Sequence, residues 1–189
     1  MLKRALLCSA LSLLFLSGCS DTKKEAESAT QEANSMVAQS SFELQSLDGE
    51  TFTVTKEANN FILQGAGSKV VLFNVFGTWC PPCRAEAPHL TRLQKKYHDT
   101  FKIIAVPVDE NPTNAILQEW KQTYGADYSI VNSKDNRALA NALAASVNAG
   151  QGFPIPLMLM FKDNKYVTHY VGAIPEEMIE SDIKHALGM

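Results

Sequence analysis

Two cysteines separated only by two prolines, Cys80-Pro81-Pro82-Cys83, stand at the junction of two different patterns. Val70 to Phe76 is a nearly continuous, valine-rich apolar run of the kind that forms a strand buried on both faces. From Pro81 to about His98, Ala85, Leu90 and Leu93 recur among charged residues, which predicts an amphipathic helix opening on prolines. Pro88 lies inside that helix and should kink it. Cys80 is therefore placed at a helix start, where unsatisfied N–H groups and the positive dipole end favour a thiolate. A partly exposed cysteine in that position is the attacking nucleophile, and Cys83, one turn inward, is close enough to resolve the product as a disulfide.

The remaining cysteines sharpen this reading. Lys3 and Arg4 precede an apolar run, Ala5 to Leu16, too short to span a bilayer comfortably, so residues 1–18 read as an export signal. Its end, Leu16-Ser17-Gly18-Cys19, resembles the lipobox of bacterial lipoproteins, which implies that Cys19 is lipidated and becomes the mature N-terminus. Of the four cysteines, Cys8 is then lost with the leader and Cys19 carries lipid, leaving Cys80 and Cys83 as the free thiols. An exported chain with one close pair has no structural disulfide framework; its sulfurs cycle, bind metal or staple a small loop. Zinc would need a second pair, and His89, His98, His169 and His185 are scattered, so no metal is expected. A net charge of −3 offers no footprint for nucleic acid.

Residues 19–40 are rich in Lys, Glu, Ser, Thr, Gln, Asn and Ala, and read as a lipid-anchored tether. As a flexible chain it would reach on the order of 25 Å. The folded domain, 41–189, opens with alternation at Phe42, Leu44, Leu47, Phe52 and Val54 around Asp48-Gly49, the pattern of a hairpin. A polar connection bearing Gly65 and Gly67 leads to Val70. Beyond the motif helix, Ile103 to Val108 reads as a second buried strand. Ala115 to Tyr124 reads as a helix, Tyr128 to Val131 as a short strand and Arg137 to Val147 as a helix. Strands at Leu157 to Phe161 and Tyr166 to Val171 form a terminal hairpin, and a helix from Glu176 to Leu187 closes the chain. The order implies an α/β fold, a mixed central sheet with helices on both faces, preceded by a β-hairpin extension.

With these residues in place, the chain from Phe42 to Leu187 resembles the thioredoxin superfamily, and within it the membrane-tethered reductases of the TlpA and ResA type, including those of cytochrome c maturation. The features that carry the resemblance are the Asp48-Gly49 hairpin, Trp79-Cys80-Pro81-Pro82-Cys83 at a helix start, Pro88, and Ile155-Pro156 leading into Leu157 to Phe161. The resemblance implies a cis bond before Pro156, rather than Pro154, that turns the Ile155 backbone towards Cys80. It also implies a substrate surface formed by Trp79, Pro81, Pro82 and Ile155. Asn74 stands where thioredoxin has a buried acid, and Glu86, in Cys83-Arg84-Ala85-Glu86, is the candidate replacement as proton acceptor; a solvated helix carboxylate is the other reading of that residue. Leu157 stands where thioredoxin has threonine, which leaves substrate hydrogen bonding open there.

The implied activity is thiol–disulfide exchange without a cofactor, directed at disulfides of exported proteins, an apocytochrome c among the candidates. A transmembrane thiol donor would recharge the dithiol, and the lipid would hold a monomeric domain to the bacterial cell envelope facing the periplasm. A periplasmic oxidase or isomerase, or a non-catalytic binding module, are the alternatives.

Overall fold

The computed structural model describes residues 41–67 and 69–189. The expected leader 1–18, the tether 19–40 and Cys19 lie outside the described residues. The central sheet has the strand order β6-β5-β4-β7-β8. Its members are β4 (Val70–Phe76), β5 (Phe101–Pro107), β6 (Ser129–Ile130), β7 (Leu157–Lys162) and β8 (Lys165–Val171). β4, β5 and β6 run parallel, while β7 pairs antiparallel with both β4 and β8, so the sheet is mixed as the element order implies. Every residue of β4 is buried, as expected of a strand with a layer on each side.

Alternation along β4 separates those layers. Val70, Leu72 and Phe76 point into one cluster with Cys80, Cys83, Leu90 and Leu93 of helix α1 (Pro81–Lys96). The same cluster takes Leu117 and Trp120 of α2 (Asn114–Thr123) and Ile179 and Ile183 of α4 (Glu176–Leu187). Val71, Phe73 and Val75 point the other way, onto α3 (Asn136–Ser146) and a separate small sheet. That sheet contains β1 (Ser41–Gln45) and β2 (Thr51–Glu57), the expected hairpin, with Asp48-Gly49 in its turn. It has a third strand, β3 (Asn60–Leu63), where only a polar connection was expected. Phe61 and Leu63 of β3 are buried, and the rings of Phe61, Phe73 and Phe161 meet edge to face at 5.8 to 6.4 Å. Each such ring contributes roughly 1.5–3 kcal/mol by burial.

Side chains of α1 fasten it to the sheet. Gln94 donates to the Phe101 carbonyl and accepts the Ile103 N–H, each at 2.8 Å. Thr91 donates to the Gly125 carbonyl at 2.7 Å and accepts the Asp127 N–H at 2.8 Å, tying the α2–β6 turn to the same helix. Pro88 lies inside α1, whose helical residues continue to Lys96.

Candidate active site

Cys80 is the N-cap of α1, with extended backbone, and Pro81 and Pro82 fill the first two helical positions. Because neither proline has an N–H, the cap sulfur accepts from the Cys83 N–H, at 3.3 Å. Cys80 and Cys83 are joined by a disulfide with their Cα atoms 5.3 Å apart. The Ile155–Pro156 bond is cis, and the Ile155 carbonyl oxygen lies 3.7 Å from the Cys80 sulfur. The structure thus brings Cys80, Cys83, Ile155 and Pro156 together from two segments remote in sequence. The partly exposed position expected for Cys80 is not observed: Cys80 is 2% exposed and Cys83 4%. The Cys80 sulfur is bonded to its mate and lies against the Ile155 carbonyl.

Trp79 is 61% exposed, whereas Pro81 and Pro82 form the exposed lip of the helix. A cavity of about 410 Å³ opens beside the indole, between Phe153, Ile155, Val108, Glu110 and Arg137. The loop ahead of Cys80 is held from a distance. Asp109, just past β5, accepts the Thr78 N–H at 3.0 Å and also its hydroxyl, and Arg84 donates to the Thr78 carbonyl at 2.8 Å. Asp109 was not singled out from the sequence; only the fold brings it to Thr78.

Glu86 is 4% exposed, so the solvated reading of that carboxylate is set aside. Burial raises its pKa to about 7, opposed by the Ile174 N–H, which donates to Oε1 at 3.1 Å. Its Oε2, the Asn74 Oδ1 and the Tyr128 hydroxyl are buried without a hydrogen-bond partner. Among the described residues no three His, Cys, Asp or Glu side chains gather where they would hold a metal ion. The chemistry available is therefore that of two sulfurs at a helix start with one buried carboxyl on the same helix face.

Comparison with known proteins agrees with this arrangement. Residues 32–187 match the Redoxin family. The chain is 30% identical over 149 residues to the thiol-disulfide oxidoreductase ResA of Bacillus anthracis, covering 72% of this chain and 80% of that one. It is 28% identical over 141 residues to ResA of Halalkalibacterium halodurans, covering 74% and 69%. Among solved structures, a thioredoxin-family thiol:disulfide interchange protein of Chlorobium tepidum superposes with a TM-score of 0.63 at 23% identity, covering 80% of this chain and 96% of that one. StoA of Bacillus subtilis gives 0.55 at 17% identity, with 77% and 98% covered. Both share the fold.

Proposed function

Since the chain belongs to the Redoxin family and is a ResA/TlpA-like thiol-disulfide oxidoreductase of the thioredoxin superfamily, we propose that it reduces disulfides of exported proteins, with Cys80 as nucleophile and Cys83 as resolving thiol. The observation that carries the reading is the Cys80–Cys83 disulfide at the start of α1, facing the Ile155 carbonyl ahead of Pro156. In the reductive direction the Cys80 thiolate attacks a substrate disulfide, forming a mixed disulfide and expelling one substrate thiolate. Cys83 then gives its proton to Glu86 and attacks the Cys80 sulfur. The internal disulfide forms, the second substrate sulfur leaves and takes a proton, and two electrons have passed to the substrate. Trp79, Pro81, Pro82 and the Ile155 backbone would receive the extended chain flanking the substrate cysteine.

The reductive direction is supported by what flanks the outer sulfur. Groups that stabilise the reduced thiolate make a dithiol oxidising, and here the two prolines leave the Cys83 N–H as the donor to that sulfur. Pro81 and Pro82 add no charge or side-chain donor to what the helix start supplies, which supports a reductant over an oxidant. The leader-like residues 1–18 and Cys19 support an exported, lipid-anchored protein facing the periplasm, recharged by a transmembrane thiol donor. Within that setting the haem-attachment cysteines of an apocytochrome c are the substrate we favour.

Insulin reduction by the wild-type chain, abolished by Cys80→Ser, together with the reduction potential of the couple, tests the reading. A potential near that of a strong dithiol oxidant, about −120 mV, overturns the reductive assignment. Indifference of turnover to Cys80→Ser overturns the catalytic one. Radiolabelled palmitate incorporation lost in Cys19→Ala checks the anchor.

A further inference from the structure

The face of β4 beneath α1 is apolar except at one place. Asn74 shares that face of β4 with Leu72 and Phe76, and its neighbours in register are Met158 of β7 and Ala105 of β5, with Ile130 of β6 beyond. Tyr128, two residues before Ile130, belongs to the same cluster and is 5% exposed. Ala105, beside Asn74 in register, brings only a methyl to this layer. Glu86 projects into this layer from α1, three residues after Cys83. Thr91, on the same helix, clamps Gly125 and Asp127, which fixes the chain leading into Tyr128 against α1.

Three buried polar ends thus share one layer, none of them hydrogen-bonded in this structure, and each needs a partner there. Their chemistry is complementary. A phenol is both donor and acceptor, the Asn74 oxygen accepts, and Glu86 accepts as a carboxylate but donates as an acid. We propose that Tyr128 is a positioning residue whose hydroxyl turns between Glu86 Oε2 and Asn74 Oδ1 as Glu86 loses and gains its proton. When Glu86 is ionised, the phenol donates to Oε2. When Glu86 is protonated, its O–H donates to the phenol oxygen, the Asn74 amide turns over, and the phenol donates to the Asn74 oxygen. Tyr128 keeps its own proton throughout, and the proton that moves is the one exchanged between Glu86 and Cys83.

The surroundings support a phenol that never ionises. Burial first, and the Glu86 charge second, push its pKa well above the usual tyrosine range, while Asn74 lowers it, the polarity of an amide N–H donated to the phenol oxygen, which leaves the phenol O–H for Glu86. No ionised side chain shifts Glu86 itself; beyond burial, the Ile174 N–H is the group that acts on it. Cys83 precedes it on the same helix, Met158 covers the β7 side, and the buried residues of α4 are Ile179 and Ile183.

This inference rests on Glu86 serving the dithiol as proposed above, and its test separates the two. Closure of the mixed disulfide with oxidised glutathione is followed against pH for wild type, Tyr128→Phe, Asn74→Leu and Glu86→Gln, with the Glu86 carboxyl titrated in parallel by carbon-13 NMR. Losing the phenol removes the donor to the carboxylate, so Tyr128→Phe should move the Glu86 midpoint up by about one pH unit. Losing the Asn74 oxygen frees the phenol for the carboxylate alone, so Asn74→Leu should move it down by about as much. Neither change should alter the profile in a Glu86→Gln background. A role confined to packing would not give shifts of opposite sign. Unmoved midpoints, or shifts of the same sign, overturn the inference while leaving an active wild type. A wild-type chain that closes no mixed disulfide, or whose acid limb survives Glu86→Gln, overturns both readings. If Tyr128→Phe does not fold, the downward shift in Asn74→Leu decides alone.

Discussion

The indole of Trp79 lies so close over Gly77 that a Cβ built on the glycine would stand 2.9 Å from the ring and 3.1 Å from Ile155 Cδ1. Gly77 is buried at the end of β4, so absence of a side chain there, rather than any unusual backbone angle, lets the exposed tryptophan lie beside the Ile155 segment. Gly77→Ala must displace one of them. We expect insulin reduction to fall roughly ten-fold, with a stability loss of only about 1 kcal/mol. A shift in Trp79 emission, read in a Trp120→Phe background, reports the displacement. Unchanged turnover with a shifted emission would show that the indole does not contribute to substrate docking.

Glu86 gives the fold a calculable pH dependence. Its folded pKa of about 7 is raised above the ordinary 4.5, so the native state binds the extra proton between those values. Stability from this group is fully present below the lower value and is lost as pH rises through the upper one, by roughly 3 kcal/mol in total. Glu86→Gln, a neutral copy of the acid, should match wild type near pH 4.5 and exceed it above pH 7 by up to that amount in urea melts. Its resolution step at neutral pH should be slower by about 10²-fold. Equal melts at both ends of the range would mean that the carboxylate is solvated.

Asp109 holds the loop ahead of Cys80 through the Thr78 N–H and hydroxyl. Asp109→Ala should cost about 1–3 kcal/mol, because a half-buried amide loses its acceptor. Thr78→Val should cost about 1 kcal/mol, and the double variant should fall short of the sum by a coupling on the order of 1 kcal/mol. Strict additivity in a double-mutant cycle would mean that the contact carries nothing.

Phe61 joins the small sheet to the face of the central sheet opposite the disulfide. Phe61→Ala should lower stability by about 3–5 kcal/mol, seen as a lower denaturant midpoint. Turnover at 25 °C should stay within about two-fold of wild type, since the change lies across the sheet from the reacting sulfurs. A comparable loss of turnover in still-folded protein would show that the two layers are coupled.

Local pattern accounts for most of what could be read in advance. The valine run of β4, the prolines opening α1 and the Asp48-Gly49 turn each state their structure through neighbours in sequence. β3 was missed because Asn59, Asn60 and the glycines after it read as connection, leaving Phe61-Ile62-Leu63 as a three-residue signal too short to stand out. Glu86 was named from its place after Cys83, but its burial depends on α4 and the Ile174 segment, 88 residues away. Asp109 and Tyr128 carried no functional signal: an aspartate after a strand and a tyrosine opening one are commonplace until the parallel sheet sets them beside the motif loop and α1.

Thr91 and Gln94 have a mechanical consequence for turnover. They rivet the middle of α1 to the sheet and to the α2–β6 turn, while the helix begins on two imides and one sulfur-bound amide. With the shank so bolted, any rearrangement on opening the sulfur–sulfur link is expected at the tip, between Trp79 and Cys83, with the rest of the molecule as the anvil against which that tip works.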